Sequence, residues 1–251
     1  MKDVKKSNSG IPLIIILLVF GGVIFGGWWL YSSSRSPKAN TNQNTTATNT
    51  PRPLDMSKAP VGATPPNLLG SPTAVVTVEE FADFQCGACA GVHPVLKEIQ
   101  STYGSRIRFV FRNFPLQIHD KAYDAAVAAE AAGIQGKFWM MQDQLFANQN
   151  AWASPSANAK ALWTEYAQKI GLDVDKWQTD MIGIAAKNRV DQDMARGRAL
   201  NVASTPTLFV GSQSIPYQEI NVQSLRRIID AELAKNAGGQ TAPAGNPNPA
   251  R

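Results

Sequence analysis

Cysteine is nearly missing from this chain. It holds two, Cys86 and Cys89, in 251 residues. None lies near the N-terminus for a lipid anchor, and no second C-x2-C pair is present to complete a four-cysteine zinc site. Histidine is as scarce, with only His93 and His119. Recruiting both to a metal would give C-x2-C-x3-H and a distant fourth ligand, which is not a standard zinc spacing, so no metal is expected. The chain has no phosphate-binding P-loop, no dinucleotide-binding glycine fingerprint and no H-E-x-x-H, so nucleotide and metalloprotease chemistry lack support. Surplus positive charge is missing from the part that can fold. The formal net charge is +5, yet from Asn67 to Asn236 16 Lys and Arg face 17 Asp and Glu. The excess sits in the first 66 residues and at Arg251, so no nucleic-acid partner is expected.

Long apolar runs are confined to one place. Ile11 to Tyr31 is an uncharged stretch of 21 residues, long enough to span a bilayer as a helix. Trp28, Trp29 and Tyr31 cluster at its far end, where amphipathic rings favour the interface. Lys2, Lys5 and Lys6 precede it, Arg35 and Lys38 follow it, and "SSSRSPKAN" offers no clean small-x-small cleavage site. The expectation is an uncleaved single-pass anchor at 11–31, with residues 1–10 cytoplasmic and the rest outside the cell membrane, periplasmic or extracellular. Residues 32–66 are rich in Ser, Asn, Thr and Pro and poor in large apolar side chains. They read as a flexible tether whose ends lie on the order of 30 Å apart. Residues 237–251, "AGGQTAPAGNPNPAR", read as a disordered tail. The folded domain is therefore expected over 67–236.

Within it, "AVVTVEEFADF" (74–84), "RIRFVFRNF" (106–114) and "TPTLFVG" (205–211) read as strands, the last leading into a hairpin. From Cys86 the pattern turns helical, with Val92, Val95, Leu96 and Ile99 on one face and Pro94 inside. Residues 119–200 are mostly helical, with breaks near 133–136, 154–155 and 171. Phe138, Trp139, Met140, Met141, Leu145 and Phe146 read as helix core. A helix with Asn221 at its N-cap closes the domain. The sum is an α/β fold, a mixed sheet with helices packed on it.

Two cysteines at C-x-x-C, opening a helix just after a strand, suit reversible redox chemistry. At the helix N-terminus, free N–H groups and the dipole stabilise a Cys86 thiolate, and an exposed thiolate of low pKa attacks or leaves readily. Cys89, one turn on, can resolve a mixed disulfide. A purely structural disulfide closing two intervening residues would constrain the unfolded chain little. Glu80 lies six residues before Cys86, on the strand face of Val76, Val78 and Ala82, while Glu79 points the other way. A carboxylate there should be partly buried with a raised pKa, able to exchange a proton as Cys89 reacts. Pro206 stands directly before a strand, where a trans bond is the ordinary reading. His93, one turn past Cys89, is either a thiolate-tuning group or a helix-surface residue. His119 opens the helical block and reads as a loop residue.

These residues resemble the thioredoxin superfamily, and within it the DsbA-like thiol:disulfide oxidoreductases of bacteria. "CGAC" at the strand–helix junction, Glu80, Pro94 five residues after Cys89, and "TPT" at 205–207 carry the resemblance. Between Cys89 and Pro206 lie 116 residues, and a helical insertion of this kind distinguishes the DsbA-like branch. "FVFRNFPL" and "QGKFWMMQDQLFANQ" are also similar to that branch. The resemblance implies a thioredoxin-like fold with the insertion between its active-site half and its cis-proline half. It implies Cys86 as nucleophile, Cys89 as resolving cysteine, Thr205 and Pro206 as a cis-Pro turn that pairs with substrate backbone, and Gly87 and Ala88 as the tuning dipeptide. Strongly oxidising members carry Pro-His in that dipeptide, and Gly-Ala supplies no such histidine. No cofactor beyond the Cys86–Cys89 pair is implied. The partners implied are cysteine-containing exported proteins and a quinone-linked membrane redox protein. A disulfide reductase or isomerase, or a tethered peptide-binding module with idle cysteines, are the alternative functions.

Overall fold

The computed structural model describes residues 55–238. The expected membrane anchor at 11–31, most of the tether and nearly all of the tail lie outside them. Among the described residues no helix is long and apolar enough to cross a membrane.

The β-branched and aromatic runs form one sheet of five strands: β1 (Asn67–Gly70), β2 (Val76–Ala82), β3 (Ile107–Asn113), β4 (Thr207–Val210) and β5 (Gln213–Ile215), in the order β1-β3-β2-β4-β5. Strands β2 and β3 are parallel, and the other neighbours are antiparallel. A parallel pair needs a crossover, which α1 (Gly87–Tyr103) provides with Pro94 inside it. The insertion follows β3: α2 (Ala122–Ile134), α3 (Phe138–Ala147), α4 (Gln149–Trp152), α5 (Ala159–Lys169), α6 (Val174–Ile182) and α7 (Ile184–Ala199). The final helix, α8 (Val222–Gly238), is capped by the Asn221 side chain, which accepts from the Ser224 N–H at 2.9 Å. The expected helix breaks fall between α2 and α3, α4 and α5, and α5 and α6. Two more, at Asn148 and Gly183, were not expected.

Each face of β2 has its own core. Val76, Val78 and Ala82 join the main core with Ile107, Phe109 and Phe111 of β3 and buried residues of α1 and α8. Phe81 faces the other way, into a small cluster with Phe114, Leu200, Val202 and Phe209. Helix α7 reaches that cluster because Gly197 has no side chain; a Cβ there would lie 2.5 Å from the Phe114 ring. Helix α2 is nearly all alanine along its buried length, so α3, α6 and α7 can pack closely around it. Trp152, Trp163 and Trp177 fill the insertion's core, each worth about 2–3 kcal/mol or more of apolar burial. Of the expected core residues of α3, Met140 departs: it is 49% exposed.

Two boundaries differ from the sequence reading. Strand β1 was not expected, because four residues behind Pro65 and Pro66 carry too short a pattern to register. The tether was expected to run to Pro66, yet residues from Asp55 onward already lie on the domain. Two arginines hold them, Arg112 buried and Arg196 partly buried. Arg112 donates to the carbonyls of Ala63 at 3.1 Å and Val61 at 2.9 Å, and Arg196 donates to that of Pro60 at 2.8 Å. The Ala63 N–H donates to Asp193 at 2.8 Å. These arginines also bind Glu79 and Asp193 in a buried ion network, with Arg112 at 2.7 Å from Glu79 and 2.9 Å from Asp193. Burial pushes the Glu79 carboxyl up, but Arg196 and Arg112 outweigh it and hold it below the usual carboxylate range.

Candidate active site

Strand β2 ends at Ala82. Asp83, Phe84 and Gln85 turn the chain, and Cys86 becomes the N-cap of α1 in an extended conformation (φ −75°, ψ 119°). Both cysteines are free thiols here. Cys89 is fully buried beneath Cys86, which is 8% exposed. Cys86 is therefore more covered than the sequence suggested, because the turn before β4 lies over it. The Thr205–Pro206 bond in that turn is cis. As a thiol, Cys86 donates through Sγ to the Thr205 carbonyl at 3.3 Å. As a thiolate it cannot donate. The Thr205 hydroxyl, buried without another partner among the described residues, is then placed to donate to it.

The thiolate is well served. The Cys89 S–H is its leading donor, burial opposes, and the Thr205 hydroxyl and the N–H groups of Cys89 and Ala88 add to it. Together they hold the Cys86 pKa down to about 5. Burial drives the Cys89 thiol far above the ordinary range, and the charges on Cys86 and Glu80 act in the same direction. Glu80 shares the strand face of Val76 and Val78, is 2% exposed, and is pushed up to about 8 by burial alone. At neutral pH it is mostly a neutral acid beside a sulfur that resists ionisation.

Gly87 faces open space, since a Cβ there would meet nothing within 4 Å, and Ala88 is half-buried. Of the dipeptide, the Ala88 backbone N–H is the group that reaches Cys86. His93 turns away from the cysteines. Its ring packs on Phe146 with centroids 4.9 Å apart, and Nε2 lies 3.0 Å from Asp143 Oδ1. Burial pushes its pKa down. It ties α1 to α3, and is neither a surface residue nor a contact of the sulfurs.

Sequence reasoning missed the residues that hold the cysteine turn. Asp83, fully buried, accepts from the Gln85 and Leu116 N–H groups at 2.7 and 2.8 Å, and its Oδ2 lies 2.6 Å from His119 Nδ1. Gln149, from α4, donates to the carbonyls of Phe84 at 2.7 Å and Cys86 at 2.9 Å. Asp83 was legible as the residue three before a helix N-cap. Nothing local marks Gln149. Ile118, two residues past Leu116, is 83% exposed.

A sequence-family model described as thioredoxin matches residues 63–231. Over 150 residues the chain is 34% identical to a Na(+)/H(+) antiporter NhaA 1 of Mycolicibacterium gilvum, which covers 57% of this chain and 23% of that protein. The chain spans about a quarter of the length of the curated relatives it matches. Among solved structures, alpha-DsbA1 of Wolbachia pipientis superposes with a TM-score of 0.60 at 19% identity, covering 70% of this chain and 94% of that one. A thioredoxin-like oxidoreductase from Silicibacter pomeroyi superposes with a TM-score of 0.55 at 26% identity, covering 68% and 92%. The helical insertion, the strand–turn–helix that carries the cysteines and the cis-proline turn all lie inside the matched residues, and the chain belongs to the thioredoxin family.

Proposed function

We propose that this chain is a membrane-tethered thiol:disulfide oxidoreductase that works outside the cytoplasm and donates its disulfide to cysteines of exported proteins. One observation carries the reading. Cys86 sits at a helix start where the reduced form is stabilised as a thiolate, and the second sulfur lies buried directly behind it. A well-stabilised thiolate is a good leaving group, so the pair tends to give its disulfide away.

A substrate thiolate attacks Cys86 Sγ of the oxidised pair, the Cys86–Cys89 bond breaks, and Cys89 leaves with the electron pair. Its sulfur takes up a proton, for which neutral Glu80 is the donor. A second substrate thiolate then attacks the substrate sulfur of the mixed disulfide and expels Cys86 as its stabilised thiolate. Two substrate thiols become a disulfide, and the pair gains two electrons. Thr205 and Pro206 offer backbone to an extended substrate segment, and exposed Ile118 gives it an apolar contact. No further cofactor is needed in this cycle. A quinone-linked membrane protein is the partner that removes the electrons again. The apolar stretch at 11–31 supports a membrane setting, as does the relatives' name, since an antiporter acts across a membrane. The Gly87–Ala88 dipeptide, lacking a histidine, favours a second reading in which the pair runs in the other direction as a reductase.

The test mixes the oxidised full chain with a reduced, unfolded protein and follows its disulfides. Stoichiometric transfer that Cys86→Ala abolishes supports the proposal. Assistance to folding that survives Cys86→Ala would identify a peptide-binding module instead.

A further inference from the structure

The main chain from Asp83 to Cys86 carries one sulfur of the pair and reaches the other. The Asp83 carbonyl accepts from the Cys86 N–H at 3.1 Å, and its own N–H acts on Cys89. Two distant segments grip this turn. From the loop between β3 and α2, His119 and the Leu116 N–H bind the Asp83 carboxylate. That loop is also joined to Gln85, whose side chain accepts from the Lys121 N–H at 2.7 Å and donates to Asp120 at 2.8 Å. From the insertion, the Gln149 amide, 8% exposed, donates to both carbonyls that flank Gln85. Among the described residues the Cys86 carbonyl otherwise receives only the first helical bond, from the Ala90 N–H at 3.2 Å. Gly87, with no side chain and open space around it, does nothing to stop the Cys86–Gly87 peptide from turning. The groups that act on Cys86 are Cys89, Thr205 and the N–H groups of Ala88 and Cys89, so the direction of those peptides decides how well a negative sulfur is held.

We propose that Gln149 and His119 are positioning residues for the redox pair, holding the 83–86 backbone so that the Ala88 and Cys89 N–H groups stay aimed at the Cys86 sulfur. They supply by geometry what the dipeptide does not supply by side chain. The inference rests on reading Cys86 as the reactive thiolate of the proposed function.

The test titrates the Cys86 thiolate of the reduced full chain by its absorbance near 240 nm, with the rate of iodoacetamide alkylation as a second readout. Gln149→Met keeps the length and removes both donors. His119→Ala removes one of three donors to Asp83, and His119→Asn returns an N–H to the place of Nδ1. The expected result is an acid constant of Cys86 lowered at least tenfold in Gln149→Met and severalfold in His119→Ala. His119→Asn should return it to within twofold of the parent. Folded variants that lose thermal stability while the midpoint stays in place would make both residues merely structural and overturn the proposal. Should Gln149→Met fail to fold, His119→Ala decides, since Asp83 keeps two backbone donors there. A parent chain that transfers no disulfide while the variants still move the midpoint ends the proposed function and leaves this inference standing.

Discussion

Glu80→Gln should make the protein more stable and its chemistry slower. The Glu80 carboxyl is raised by burial from 4.5 to about 8. In the unfolded chain at pH 7 it is ionised, so folding must first protonate it. A carboxyl whose folded pKa is raised stabilises the fold fully only below 4.5, and that stability drains away as pH rises toward 8. At pH 7 the loss is about 2.5 pH units' worth, or about 3 kcal/mol. Glutamine fills the same space without a charge to remove, so it should recover about 3 kcal/mol at pH 7 and nothing below pH 4. Denaturant unfolding of the reduced protein at pH 4, 6, 7 and 8 measures this. In the proposed cycle the cost falls on exchange, because Glu80 is there the proton donor to Cys89; removing a general acid or base typically costs about 10²-fold or more. The reasoning is refuted if Glu80→Gln shifts stability equally at every pH, for then Glu80 does not enter the core as a neutral acid.

Two other substitutions test the surroundings. Cys89→Ala removes the leading donor to the Cys86 thiolate, so the pH midpoint for alkylating Cys86 should move up from about 5; an unmoved midpoint would assign the stabilisation to the backbone and Thr205 instead. Arg112→Met strips Asp193 of its ion partner and releases the Val61 and Ala63 carbonyls, and should cost about 3 kcal/mol or more in denaturant unfolding, with earlier proteolysis at residues 55–63.

How far the sequence reaches depends on how local the determining contacts are. The cysteine pair, the helix start, the Asn221 cap and the burial of Glu80 were legible, because each depends on a spacing of two to six residues along one element. Strand alternation also separated Glu80 from Glu79, although it could not show that Glu79 meets Arg112 and Arg196, the latter 117 residues away. Gln149 lies 63 residues from Cys86, and only the folded insertion brings it there. His93 misled for the same reason: its neighbours along the helix are the cysteines, but its partners are Asp143 and Phe146 on α3. Residues 55–66 look like linker by composition. They are ordered by backbone carbonyls, which composition does not display.

The reduction potential of the Cys86–Cys89 pair, measured on the full chain equilibrated in glutathione buffers, tests the central claim most directly. A Cys86 pKa of about 5 lies between those of thioredoxin, about 7, and DsbA, about 3.5, so the potential should lie well above thioredoxin's value of about −270 mV, toward DsbA's of about −120 mV. A value near −270 mV would mean that the pair accepts disulfides rather than giving them, and the proposed direction of electron flow would be wrong.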